Sequence, residues 1–154
     1  MSPTVSAKPE GPRVVVVFSD QTSLKKLRFL KPGFRHCYAL IETSSGWILY
    51  DPLSHYTHIS LYAALTLTEL IGWHLAQGLT VVCCRIHSVA PRIAEVRPFT
   101  CVEAVKRILG LQAPWVFTPW GLFMKLTESA EHMQINKKKR KNIKFILDKY
   151  KKGI

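Results

Sequence analysis

The feature that most constrains this chain is a pair of apolar segments separated by a short polar turn. Segments 34–42 (FRHCYALIE) and 46–53 (GWILYDPL) flank residues 43–45 (TSS). Two such runs joined by a few small polar residues predict a β-hairpin. Residues 13–18 (RVVVVF) predict a further buried strand, since an unbroken β-branched run suits a strand covered on both faces. The sequence therefore predicts a sheet built around this hairpin.

The register of the hairpin brings two polar residues together. If the turn centres on Ser44 and Ser45, position 36 faces position 53, and position 51 is a diagonal neighbour on the same face. His36 and Asp51 are then within reach of each other, although a slip of one residue would separate them. Two simpler roles remain open: a sheet-edge histidine for His36, and a turn residue bonding its own backbone for Asp51.

A second informative segment is 98–110 (PFTCVEAVKRILG), which predicts a short helix with a cysteine in its first turn. Thr100 is suited to be the N-cap, with Glu103 completing a capping box, and Gly110 is a helix stop. Cys101 then lies at the positive end of the helix dipole, which lowers the pKa of a thiol and favours the reactive thiolate. The alternative is that Cys101 is a small buried apolar residue, as most free cysteines are.

The remaining elements complete an α+β pattern. We predict a helix from a Ser60 cap to about Gln77, a strand over 79–87 (LTVVCCRIH), and a helix that opens at Thr118 and Pro119. At 154 residues the chain suits one domain. We assign residues 1–12 to a flexible arm, 13–130 to the folded domain and 131–154 to a basic tail.

Other histidines and the cysteine spacing offer alternatives at the site. His55 and His58 are three apart and are a possible metal pair, but no cysteine or acid is in register, and no C-x-x-C motif is present, so we predict no metal or cofactor. His74 falls on an apolar helix face and is expected in the core. His87 is a spare candidate for the third position of a catalytic set.

The net charge of +12 is concentrated near the C-terminus, where residues 137–152 carry nine Lys or Arg and one Asp. This segment is open to three interpretations: a solvated arm, non-specific binding of nucleic-acid phosphates, or contact with an anionic membrane surface. No apolar run is long enough for a transmembrane helix, and no secretion signal is evident. The candidate contact residues are Lys137, Lys138, Lys139, Arg140, Lys141 and Lys144.

Three residues from distant segments combine into a catalytic hypothesis. Cys101 is the nucleophile, His36 holds it as a thiolate–imidazolium pair and protonates the leaving group, and Asp51 orients the imidazole. The Cys101 amide and neighbouring helix N–H groups supply an oxyanion site.

These residues resemble a known family. Segments 33–40 (GFRHCYAL), 47–52 (WILYDP) and 99–103 (FTCVE) are similar to the circularly permuted, NlpC-type branch of the papain-like cysteine peptidases, in which the histidine strand precedes the cysteine helix. Lecithin:retinol acyltransferase-like enzymes share this order. The resemblance covers residues 13–127 and implies a papain-like antiparallel sheet packed against helices. It also implies Cys101 as nucleophile, His36 as base and Asp51 as orienting residue, although many relatives carry His in the third position.

Two functions follow as hypotheses. The first is a thiol hydrolase or acyltransferase, for example a cysteine peptidase or amidase, that acts on a peptide or acyl substrate through a Cys101 thioester. The second is a catalytically silent module of the same fold, whose tail contacts nucleic acid, an anionic surface or a neighbouring virion protein. Residues 118–122 (TPWGL) resemble small proteins of bacteriophages and their hosts. We expect a cytoplasmic or virion-associated location, with reduced thiols.

Overall fold

The computed structural model describes residues 11–21, 25–89, 97–128 and 133–135. Within these residues the chain is α+β, as predicted, and forms an antiparallel sheet with helices on both faces. The predicted arm falls almost wholly outside the described residues, as does the basic segment 137–154 with its six candidate contact residues. No helix in the described part of the chain is long and apolar enough to cross a bilayer.

Within the described ranges, six strands form one sheet in the order β4-β3-β2-β1-β5-β6, and every neighbouring pair is antiparallel. The strands are β1 (Arg13–Ser19), β2 (His36–Thr43), β3 (Gly46–Pro52), β4 (Thr57–Ala63), β5 (Thr80–Arg85) and β6 (Met133–Ile135). The helices are α1 (Leu67–Ala76), α2 (Cys101–Leu109) and α3 (Pro119–Glu128), with a 3-10 turn at Lys25–Phe29. Strand β6 lies within the segment that we assigned to the tail.

The central strand β1 separates two apolar cores because its side chains alternate between the faces. Val14, Val16 and Phe18 pack against α2 and α3, whereas Val15 and Val17 pack against α1. All five side chains are fully buried. This burial on both faces explains the unbroken β-branched run, as the sequence predicted. The two faces also fix which side chains can meet each α-helix.

The predicted helix from Ser60 is wrong over its first half. Residues 57–63 form β4 instead, and a residue with positive φ, Ala64 (59°), ends the strand. Helix α1 begins after Thr66, whose side chain accepts from the Glu69 N–H at 3.2 Å while the Glu69 carboxylate accepts from the Thr66 N–H at 2.8 Å. This reciprocal cap satisfies two helix-end donors, which a Ser60 cap lacking a glutamate three residues on cannot match.

Candidate active site

Cys101 opens α2, as the sequence predicted. The Thr100 side chain accepts a hydrogen bond from the Glu103 N–H at 3.3 Å, and Gly110 ends the helix in the left-handed conformation with φ of 67°. Only the Thr100 half of the predicted capping box is present. The Glu103 carboxylate binds Lys106 at 2.9 Å and Arg107 at 3.2 Å. The helix start therefore holds Cys101 beside the positive end of the dipole.

His36 and Asp51 meet across the hairpin. The ladder pairs Thr43 with Gly46 and Ala39 with Tyr50, which confirms the predicted register. The Nε2 atom of His36 lies 2.6 Å from Oδ1 of Asp51, and the two side chains are 14% and 21% exposed. A charge-assisted bond of this length fixes the orientation of the imidazole ring. It leaves Nδ1 as the ring nitrogen available to a second partner.

The second partner is Cys101. It can approach the His36 ring because β2 and β3 separate at this end of the hairpin. The β2–β3 ladder ends at Ala39 and Tyr50, although β2 continues back to His36 and β3 on to Pro52. In a hairpin closed by Thr43 and Gly46, every second residue of β2 directs its N–H towards β3. The Cys37 N–H points that way, and it is one of the groups that lower the pKa of the Cys101 thiol. Cys101 therefore lies against the open end of the hairpin, where the His36 ring also reaches it.

Cys37 is a site residue that sequence reasoning missed. Its side chain is fully buried in the core cluster against which Cys101 packs, and its thiol lowers the pKa of Cys101. Burial and the neighbouring Cys101 thiolate raise the pKa of Cys37 well above its ordinary value, so it remains a protonated donor. The only sequence signal was its position directly after His36, which by strand alternation suggested the opposite face.

The hydrogen bonds give Cys101 and His36 opposite charges at neutral pH. The Cys37 thiol lowers the pKa of Cys101, whereas burial raises it. The hydrogen bond and the charge of His36 lower it further, so that the pKa is about 5. Burial by itself lowers the pKa of His36, but the bonds to Asp51 and Cys101 and the charges of both raise it to about 9. A thiolate–imidazolium pair is thus the dominant state between these two pH values.

The first turn of α2 provides donors beside the sulfur. The first four N–H groups of an α-helix have no acceptor within the helix. In α2 the Thr100 side chain accepts a hydrogen bond from one of them, the Glu103 N–H. The N–H groups of Cys101 and Val102 also lie in this first turn, and backbone donors of this kind can stabilise an oxyanion. The arrangement brings together a thiolate, an oriented imidazolium and backbone N–H donors.

The other histidines that the structure describes take other roles. His87 lies at the opposite end of α2, where its N–H donates to the Leu109 carbonyl at 3.1 Å, about 12 Å along the helix axis from Cys101. It therefore does not serve as the third residue, for which it was a spare candidate. His74 is buried in the core and bonds the Leu70 carbonyl at 2.7 Å, as predicted. His55 and His58 are exposed, and no cluster suited to a metal ion occurs within the described ranges.

The geometry defines an α+β protein with a cysteine–histidine–aspartate cluster at one end of its sheet. Comparison of the chain with protein-family models, with curated proteins and with solved structures found no match.

Replacing Cys37 by Ala should raise the pKa of Cys101 from about 5 towards its ordinary value, because the largest cause that lowers this pKa is then lost. The thiolate absorbance of Cys101, followed as a function of pH, measures this shift. Cys84→Ala is the matched control, since Cys84 is equally buried on the same sheet face but lies on β5. An unchanged titration in Cys37→Ala would remove Cys37 from the site.

Proposed function

We propose that this protein is a thiol hydrolase or acyltransferase that cleaves an amide or acyl bond through a thioester on Cys101. The observation that carries the proposal is that three separate elements bring together the His36 ring, the Asp51 carboxylate 2.6 Å from it, and the Cys101 thiol, whose pKa His36 lowers. Cysteine nucleophiles need such a base, and the base needs an orienting group. Perturbed pKa values at a partly exposed cluster favour a functional role over a structural one.

The proposed reaction has two halves, the formation and the breakdown of the thioester, and each group acts in both. The Cys101 sulfur forms a bond to the carbonyl carbon, and the N–H groups at the start of α2 stabilise the oxyanion. The imidazolium of His36 transfers its proton to the leaving amine or alkoxide, so the carbon–nitrogen or carbon–oxygen bond breaks and a thioester remains. Neutral His36 then takes a proton from water or an acceptor alcohol, which attacks the thioester and regenerates the thiolate. Asp51 acts through His36 as a positioning residue.

The chain order supports an assignment to the permuted, NlpC-type papain-like class. The histidine strand β2 and the aspartate strand β3 precede the cysteine helix α2, and the helix packs over β2 and β3. The antiparallel sheet with α2 against one face agrees with that architecture. Within this assignment, the chain would have Asp51 in the third position of the catalytic set and Cys37 beside the nucleophile.

An acyl-enzyme experiment tests the proposal. Treatment with p-nitrophenyl acetate should release a burst of roughly one nitrophenolate per chain and add one acetyl group at Cys101, detected by intact mass and peptide mapping. Cys101→Ala should give neither, whereas Cys84→Ala should give both. Acetylation that is confined to lysines, or that is equal in Cys101→Ala, would contradict the proposed thioester.

The basic segment favours a second, compatible function in polyanion binding. Nine cationic residues within 137–152 predict salt-sensitive retention on DNA, because phosphate binding releases counterions. Removal of residues 137–154 should abolish this retention, while a chain carrying the same segment in scrambled order should keep it. Retention that survives the truncation would place the polyanion contact elsewhere. A chain that binds DNA but never forms the acetyl-enzyme would favour the catalytically silent module.

A further inference from the structure

Four apolar side chains form a continuous strip on the sheet face that carries α2. In the ladder Tyr50 pairs with Ala39 and with Ile59, and Ile48 pairs with Leu61. Paired residues project to the same face, and Ala39 is buried in the core beneath α2. We call the four residues the apolar strip: Ile48, Tyr50, Ile59 and Leu61.

The outer half of the apolar strip is exposed to solvent. Ile59 and Leu61 are 63% and 59% exposed on β4, the edge strand of the sheet. Natural edge strands usually carry charged residues or proline that discourage contact with other chains. Residues 57–63 (THISLYA) contain no Lys, Arg, Asp, Glu or Pro. Apolar side chains that are exposed side by side on an unprotected edge strand favour a binding surface.

The apolar strip begins beside the reactive sulfur. Cys37 belongs to the core cluster against which Cys101 packs, and it lies on the same sheet face as Tyr50 and Ile59. Tyr50 is one strand across and two residues along from Cys37, and Ile59 is two strands across. With strands 4.8 Å apart and a rise of 3.3 Å per residue, these Cα separations are about 8 Å and about 12 Å. An extended peptide spans these two distances in about two to four residues.

We infer that the apolar strip binds an apolar side chain of an extended peptide whose scissile carbonyl lies at Cys101. This inference rests on the proposed function and specifies its substrate class. A peptide fits better than a single long alkyl chain, because the strip is an open surface. An isolated side chain can lie against such a surface, whereas an alkyl chain needs an enclosed channel to bury most of its area. Ile59 and Leu61 are therefore specificity-determining residues.

Matched alkylating probes test this inference. Iodoacetamide reports the reactivity of Cys101 alone, and iodoacetyl derivatives of Leu-Leu amide and Ser-Ser amide report the effect of apolar side chains. In the unmodified chain the leucine probe should react at Cys101 about tenfold faster than the serine probe, as expected when one apolar side chain is partly removed from water. The double variant Ile59→Ser, Leu61→Ser should bring this ratio close to one, with both probe rates divided by the iodoacetamide rate of the same variant.

Trp73→Ser is the control, since Trp73 is 58% exposed on α1, which packs on the other sheet face. It should leave the ratio of the two probe rates unchanged. An unchanged ratio in the Ile59, Leu61 double variant would overturn the inference, as would an N-dodecyl iodoacetamide that reacts faster than the leucine probe. If iodoacetamide itself fails to modify Cys101, the proposed function fails and this inference fails with it.

Discussion

At pH 6, iodoacetamide should modify Cys101 at least a hundredfold faster than Cys83 or Cys84. With a pKa of about 5, Cys101 is largely thiolate at this pH, whereas burial raises the pKa of Cys83 to about 12. A thiolate of low pKa is intrinsically less nucleophilic, which offsets part of this advantage. The difference in thiolate fraction and the burial of the other sulfurs outweigh that loss. Peptide mapping after a short exposure measures the individual rates.

Cys101→Ala should remove the fast adduct and leave only slow labelling. Cys84→Ala is the control for loss of a cysteine as such, and it should keep the fast adduct. Uniform labelling of all four cysteines, or labelling that begins only with denaturant, would contradict a preformed thiolate. A fast adduct on Cys37 would also contradict it, because Cys37 is expected to remain protonated.

His36→Ala should lower acyl transfer by about 10²- to 10⁴-fold, the range for loss of a general acid–base group. It should also raise the pKa of Cys101, since the thiolate loses a hydrogen bond and an opposite charge. Acetyl-enzyme formation at several pH values separates the two effects. At high pH the thiolate forms without His36, so labelling by iodoacetamide recovers, whereas turnover does not.

Asp51→Asn should have a smaller effect that appears chiefly in the pH profile. The Asp51 carboxylate raises the pKa of His36, so its loss should move the alkaline limb of turnover to lower pH. His58→Ala is the control, because His58 pairs with Asp51 in the β3–β4 ladder but makes its side-chain hydrogen bond to Ser60. An alkaline limb that stays in place in Asp51→Asn would show that Asp51 does not position His36.

Local signals predicted the parts of the site that depend on short stretches of chain. The hairpin turn fixed the register, and the register alone placed His36 near Asp51. Thr100 and Gly110 predicted both ends of α2 and hence the position of Cys101. These predictions succeeded because turn residues and helix caps act over a few residues.

The predictions that failed depend either on competition between two possible helix caps or on tertiary contact between distant segments. Ser60 and Thr66 both resemble helix caps, and only the reciprocal bond to Glu69 decides between them. Cys37 was missed because its role depends on α2 packing over β2 where the β2–β3 ladder has ended. Alternation along a regular strand placed His36 and Cys37 on opposite faces. It cannot anticipate that both reach one sulfur at the splayed end of the hairpin.

The central claim is that Cys101 and His36 form a thiolate–imidazolium pair, and a pH titration tests it most directly. Thiolate absorbance should be followed in the unmodified chain and in Cys101→Ala, with the His36 ring followed by NMR. We predict that the difference signal appears as the pH rises through about 5 and that the ring loses its proton only near pH 9. A Cys101 thiolate that forms only above pH 8, with a His36 ring that is neutral at pH 7, would contradict the account.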